Sequence, residues 1–201
     1  MQAETQYDML EQKELMRTVK AELRLAMNGV ASARMRESGF NYKVNFGVEL
    51  PRLQTIADEQ RKLICEQDGT EEDFFRLAQT LWMENIRESK ILACMLMPTE
   101  AFTYDMAELW AEQIPNIEIA RLMVMYLLVR LPFATDMAFR WIASERDWHQ
   151  ACGFLLIARM LINGTEFSER TMDELRDQTL ANVKSPNAYV AKAANTVLAL
   201  I

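Results

Sequence analysis

Phe102-Thr-Tyr-Asp-Met-Ala-Glu-Leu-Trp110 recurs 31 residues later as Phe133-Ala-Thr-Asp-Met-Ala-Phe-Arg-Trp141, with five of nine positions identical. A looser echo precedes both copies at Phe75, Ala78 and Trp82. A second, more apolar segment follows each of the three, and these segments are Ile86–Met97, Ile117–Leu131 and Trp148–Ile162. Self-similarity at a fixed period indicates stacked supersecondary units that share a core. We expect the three tryptophans, which occupy equivalent positions, to be packing residues.

The units of this repeat are predicted to be pairs of helices. Only six glycines and five prolines interrupt 201 residues, and apolar residues recur at helical spacing. The pattern predicts an all-α superhelix, a HEAT-like repeat solenoid of about nine to ten helices. We assign residues 1–201 to a single domain, with an N-terminal helical region in 1–40 and helix-pair repeats in 41–201. The segments beginning at Ile86, Ile117, Trp148 and Tyr189 should share one concave side.

Local signals set several of the expected boundaries. Pro51 suits the first turn of a helix that runs to about Cys65. Thr70 and Thr165, each followed by acidic residues, are predicted N-caps. Asn163-Gly164 is typical of a helix end.

Composition excludes several classes of protein. No run of 18 uncharged apolar residues is present, so no membrane span is expected. Cys65, Cys94 and Cys152 each lie in an apolar run, which favours buried thiols and a cytoplasmic location. His149 is the single histidine, so a multi-histidine metal site is excluded and no metal or other cofactor is expected. We expect His149 to be a surface or cap residue rather than a general base.

Charge is distributed unevenly. The formal charge of −7 argues against tight nucleic-acid binding, which depends on neutralising phosphates. The stretch from Lys13 to Lys43, however, contains seven basic and only three acidic residues, whereas Glu66–Glu88 is strongly acidic. This asymmetry is also common on solvated helix faces.

Four segments resemble the AlkD-type DNA alkylation repair proteins. They are collinear with that family's motifs from about residue 40 to the C-terminus: Asn45–Leu53, Leu81–Ala93 with Trp82 and Arg87-Glu88, Trp141–Ala151 with Trp148 and Gln150, and Ala191-Lys192-Ala193. The resemblance implies a HEAT-like solenoid that cradles duplex DNA and excises cationic N3- or N7-alkylated purines. In that chemistry tryptophan faces favour the cationic base, and a carboxylate stabilises the oxocarbenium-like sugar.

The residues that would carry this chemistry are substituted. By the resemblance, the family's tryptophan positions fall on Ile117 and Thr196, and its catalytic carboxylate position falls on Arg121. The family's phosphate-contacting arginine falls on Ala151. Glu118 keeps a carboxylate nearby and is the one candidate catalytic residue.

Candidate DNA-binding residues are Arg121, Trp148, Arg159 and Lys192. The three cations occur in the most apolar segments, where a lone charge needs a partner or an open groove. They either contact phosphates on a concave face or pair with acidic residues across helix interfaces.

Three functions follow from these patterns. The first is a non-catalytic or altered relative of the alkylpurine glycosylases that binds duplex or branched DNA weakly and in a salt-sensitive way. The second is an active glycosylase with a rearranged site that uses Glu118. The third, which the acidic charge favours, is a HEAT-like scaffold for a protein partner.

Overall fold

A computed structural model describes residues 2–40 and 42–201, and side chains from residue 12 onward. The described part contains eleven α-helices, slightly more than the nine to ten predicted, and no strand beyond an isolated bridge between Val44 and Ile86. The all-α, HEAT-like fold class is confirmed. The helices are α1 (Gln2–Leu25), α2 (Gly29–Glu37), α3 (Leu50–Glu66), α4 (Glu71–Met83), α5 (Arg87–Leu96), α6 (Tyr104–Glu112), α7 (Ile117–Tyr126), α8 (Ala134–Ile142), α9 (Asp147–Ile162), α10 (Glu169–Asn182) and α11 (Ala188–Leu198).

The chain divides into two compact units, an N-terminal unit of Met1–Ala101 and a C-terminal unit of Phe102–Ile201. In the N-terminal unit α4 and α5 form a helix pair, α3 packs on α5, and α1 lies against α3 and α4. Met16, Val19 and Leu23 of α1 are buried at the 3- and 4-residue spacing of one helix face. The assignment of 1–201 to one continuous domain stays a prediction.

The C-terminal unit is organised around α9, which packs most extensively on α8. The central helix α9 lies between α7 and α11, while α8 and α6 cover one of its faces and α10 packs on α11. Three of the four segments expected on one side are therefore neighbours here. Gly153 allows the closest approach, because a Cβ at this position would lie 2.8 Å from both the Ala138 carbonyl oxygen and the Ile142 nitrogen.

The repeat tryptophans are packing residues, as predicted. Trp82, Trp110 and Trp141 are 1–4 % exposed. Each lies on the first helix of its pair, at α4, α6 and α8. Their recurrence is explained by the shared core and requires no ligand.

Several predicted helix ends are confirmed and one is wrong. Thr70 and Asp73 form a reciprocal capping box at the start of α4, and Pro51 lies in the first turn of α3. Thr165 does not cap α10. Its amide donates to the Met160 carbonyl oxygen at 2.9 Å, and the Gly164 amide (φ +84°) donates to the Leu161 oxygen at 3.0 Å. This is the Schellman arrangement that ends α9, so Thr165 takes part in the C-terminal cap of the preceding helix.

The true N-cap of α10 is Ser168, whose hydroxyl accepts from the Thr171 amide.

Burial of the thiols was also predicted incorrectly at one position. Cys94 and Cys152 are buried, and burial raises the pKa of Cys152 to about 12, but Cys65 is exposed. Helix geometry is the reason, since α3 buries Ile64 and turns the next residue about 100° away toward solvent.

Candidate nucleic-acid interface

The two N-terminal segments that carry the family resemblance hold each other in place. Glu88 of α5 is completely buried, and its carboxylate accepts the Phe46 amide at 3.1 Å and the Val48 amide at 3.2 Å. Arg87, also buried, donates to the Val48 carbonyl oxygen at 2.9 Å and to Glu88 at 3.1 Å. Because Arg87 and Glu88 bind each other and also the backbone of Phe46 and Val48, they fix the loop that precedes α3. Arg87 and Glu88 are therefore scaffold residues.

The same loop is also pinned to α2. The Asn28 amide donates to the Phe46 oxygen at 2.8 Å, and the Ser32 hydroxyl donates to the Asn45 oxygen at 2.9 Å. Gly47 has φ +71°, and a Cβ there would lie 2.2 Å from the Asn28 carbonyl oxygen. Only glycine fits this crossing.

Trp82 is likewise a residue of the buried core. The Lys90 ammonium donates to the Trp82 carbonyl oxygen at 2.8 Å and lies 4.2 Å from the centroid of its ring. Desolvation lowers the pKa of Lys90. Both residues serve the core of the α4–α5 pair.

A polar cluster in the C-terminal unit centres on Glu108 of α6. Its carboxylate accepts hydrogen bonds from the Trp141 indole and the Arg146 guanidinium, and lies 3.4 Å from His149 Nε2. Burial alone would raise the pKa of Glu108, but the hydrogen bonds from Arg146 and Trp141 outweigh it and hold that pKa below its usual value. The cluster joins α6, α8 and the start of α9. Sequence reasoning missed it because Glu108 is one of the positions that differ between the two repeat copies.

His149 is not the surface or cap residue that we expected. It is 1 % exposed and packs edge-on against Trp141, with ring centroids 5.2 Å apart. Desolvation first, and then the charge of Arg146, lower its pKa. A neutral imidazole in the core between α8 and α9 is a packing group.

The uncovered side of α9 presents an aromatic stack. Trp148 is half-buried and stacks on the exposed Tyr189 of α11, with centroids 5.4 Å apart and 18° between the ring planes. Leu155 and Arg159 continue the partly exposed stripe of α9 at helical spacing. Lys192 follows Tyr189 by three residues on α11 and is exposed. The sequence signal for Tyr189 was its place at the start of an inner helix, as for Trp148.

The three candidate cations have no acidic partner in the part of the chain that the structure describes. Arg121 and Lys192 are exposed, and Arg159 is half-buried. The Nε of Arg159 is buried without a hydrogen-bond acceptor. The interpretation that these residues pair across helix interfaces therefore receives no support, and they remain available to an external anion.

The positions that the resemblance aligns with the family's functional residues lie in different surroundings. Ala151 is 1 % exposed, so it faces the interior instead of solvent. Thr196 is exposed, and its hydroxyl donates to the Lys192 carbonyl oxygen at 3.0 Å. Glu118 lies in the first turn of α7, where its amide donates to Asn116 Oδ1 at 3.0 Å. A carboxylate at this place favours the helix dipole, which explains it without catalysis.

The described residues form neither a group of potential metal ligands nor a membrane-spanning helix. Among them, no three His, Cys, Asp or Glu side chains are grouped so that they could hold a metal ion. None of the described helices combines the length and apolarity needed to cross a membrane.

Stacked helix pairs with buried repeat tryptophans define a HEAT-like α-helical repeat protein. The sequence profile described as "DNA alkylation repair enzyme" matches residues 19–201, so the chain belongs to the DNA alkylation repair family. In structure the chain is similar to a solved protein described as belonging to a new family related to the HEAT-like repeat DNA glycosylases, with affinity for branched DNA structures. The TM-score is 0.77 at 17 % identity, over 92 % of this chain and 74 % of the other. No functionally curated protein matches the sequence.

Proposed function

We propose that this protein binds DNA through the uncovered side of α7, α9 and α11 and does not carry out the base excision of its glycosylase relatives. The observation that carries the proposal is a partly exposed Trp148–Tyr189 stack on the same three neighbouring helices as Arg121, Arg159 and Lys192, which have no acidic partner among the described residues. Such a face can contact phosphates and stack on a base, which are the two components of binding without sequence specificity.

Phosphate contacts suit these cations better than structural ion pairs do. Lys192 extends from an exposed position one turn beyond Tyr189, so it lies beside the aromatic stack. Arg159 is half-buried as a residue, and its buried Nε lacks an internal acceptor. A phosphate oxygen bound to the terminal nitrogens of that guanidinium would gain the geometric advantage of a guanidinium–phosphate pair.

The absence of excision follows from charge. The transition state for loss of an alkylated purine places positive charge on the sugar, which a carboxylate stabilises. Arg121 occupies the position at which the family places that carboxylate, and a cation there would raise the barrier. Ile117 and Thr196 offer no aromatic face to a cationic base. Glu118, the remaining carboxylate, is accounted for by the first turn of α7.

The choice of DNA is guided by the structural relative. That protein is described as having affinity for branched DNA structures. We therefore expect this chain to bind a four-way junction more tightly than a linear duplex, weakly and with a steep dependence on salt.

The test is fluorescence anisotropy with junction and linear DNA, on the wild type and three variants. Trp148→Ala should lose about 1–3 kcal/mol of binding if a base stacks on the indole. Arg121→Asp should weaken binding and lower the salt slope, whereas Arg176→Asp, the same charge reversal on the outer helix α10, should not. Equal effects of the two reversals would show only a general charge response.

A parallel assay measures release of N-methylated purines from DNA. We expect no release above the uncatalysed rate from the wild type. Release that depends on Glu118 would establish the rearranged glycosylase instead. No binding to any DNA at low salt, together with stoichiometric binding of a protein partner, would establish the scaffold function.

A further inference from the structure

We propose that a groove between α1 and α4 in the N-terminal unit is a second nucleic-acid surface, which binds the phosphate backbone. This goes beyond the proposed function, which uses residues of the C-terminal unit alone. The inference stands on the geometry of the groove, its charge and the way in which its walls are fixed.

The groove has one basic wall. Lys13, Arg17, Lys20 and Arg24 line it together and follow each other along α1 at steps of four, three and four residues. This spacing places them on one side of the helix. At 1.5 Å per residue the row is about 16 Å long.

The opposite wall is held firmly against this row. Gln12 of α1 donates to the Thr80 hydroxyl at 2.6 Å and to the Arg76 carbonyl oxygen at 3.0 Å, both on α4. Met16 is buried between the two helices. The resulting groove has a volume of about 560 Å³ and also contains Gln12, Thr80 and Glu84 in its lining.

Charge in the groove is strongly positive although the chain is acidic overall. Among the described residues that line it, Glu84 is the one carboxylate, and Glu84 pairs with Lys20 at 2.5 Å. Arg17 pairs with Glu14 in a highly exposed contact, which contributes little. Lys13 and Arg24 have no carboxylate partner in the described part of the chain. A net charge of −7 makes this concentration of cations unusual for the molecule.

A nucleic-acid backbone fits this arrangement better than an acidic peptide does. Each strand of duplex DNA carries one phosphate per about 3.4 Å of axis, so a row of about 16 Å spans about five phosphates. Regularly spaced cations suit such a regular polyanion. A peptide partner would need apolar anchor points, and Met16, the one apolar residue among the described residues of the lining, is already buried.

The experiment is a salt titration of DNA binding by the full chain. Lys13→Ala combined with Arg24→Ala should lower the slope of log K against log salt by about 1.8, since each phosphate contact contributes about 0.9. The matched control is Lys43→Ala with Lys62→Ala, which removes the same charge from exposed positions of the same unit and should leave the slope unchanged. Circular dichroism checks that both double variants are folded.

A gain of affinity provides an independent readout. Glu84→Gln keeps a side-chain oxygen for the Ser89 hydroxyl, which donates to Glu84 at 2.8 Å, but it releases Lys20 and removes the opposing charge. We expect tighter DNA binding and a slope steeper by about one contact. Glu66→Gln, an equal charge change on α3, should not reproduce the effect.

The outcomes separate this inference from the proposed function. If the groove variants match their controls while Trp148→Ala weakens binding, the groove inference is wrong and the proposed function stands. The opposite pattern supports the groove and refutes the face of the C-terminal unit. Preferential displacement of junction DNA by polyglutamate over an unlabelled oligonucleotide would overturn the groove's assignment to nucleic acid.

Discussion

Replacing Glu88 tests whether the resemblance-bearing segments form a structural clamp. Glu88→Ala removes the acceptor for two backbone amides and leaves Arg87, 2 % exposed, without its carboxylate. Removing one partner of a buried pair costs about 3–5 kcal/mol. Each abandoned amide adds about 1–3 kcal/mol unless water enters the space left by the side chain. Since contributions within one connected network do not simply add, we expect a loss of at least about 4 kcal/mol, a large share of the roughly 5–15 kcal/mol typical of a domain.

The assay is urea unfolding followed by circular dichroism, with Glu66→Ala as the control on the exposed side of α3. A second variant separates the two contributions. Arg87→Met with Glu88→Met removes both charges, so it should recover the ion-pair part of the loss but not the part that comes from the Phe46 and Val48 amides. A loss below about 1 kcal/mol for Glu88→Ala would refute the clamp, because no buried charge with three partners could be removed so cheaply.

Two further predictions concern backbone geometry and pH. Gly47→Ala should destabilise the protein by about 2 kcal/mol or more, because it combines a positive φ with a Cβ clash against backbone atoms. Gly39→Ala, the control, meets only the strain of a positive φ. Comparing the free energies of unfolding of the two variants isolates the cost of the clash. His149 is neutral in the core with a lowered pKa, so the unfolded chain binds more protons and stability should fall as the pH drops below about 6.5. His149→Gln should reduce that pH dependence. The measurement is the free energy of unfolding from pH 7.5 to 5. If this free energy depends on pH equally in the variant and in the wild type, the assignment is wrong.

The features that sequence reasoning placed correctly have local causes. The capping box at Thr70 is specified within four residues, and the helix stop at Gly164 follows from the glycine itself. The repeat tryptophans were recognised because Trp110 and Trp141 occupy the same step of a helix that packs in the same way. Period, caps and turn residues were enough to define the helix pairs.

The features that were missed depend on contacts between distant segments. Nothing near His149 in sequence reveals that Glu108, from the preceding helix pair, comes within 3.4 Å of its ring. The stack between Trp148 and Tyr189 likewise joins two helices separated by all of α10. Cys65 was predicted to be buried because it lies in a run of apolar residues, but it is exposed. Neighbouring residues of a helix point in different directions, so an apolar run does not bury all of its members.

The mutual clamp between Asn45–Leu53 and Arg87-Glu88 has an implication for how such proteins diverge. The segments that carry the family resemblance in this region also keep the N-terminal unit folded, whereas the substitutions that we infer at Ile117, Arg121 and Thr196 lie in the C-terminal unit. A chain could therefore lose base excision while these segments remain recognisable. Activity is best inferred from the inner helices, and ancestry from the clamp.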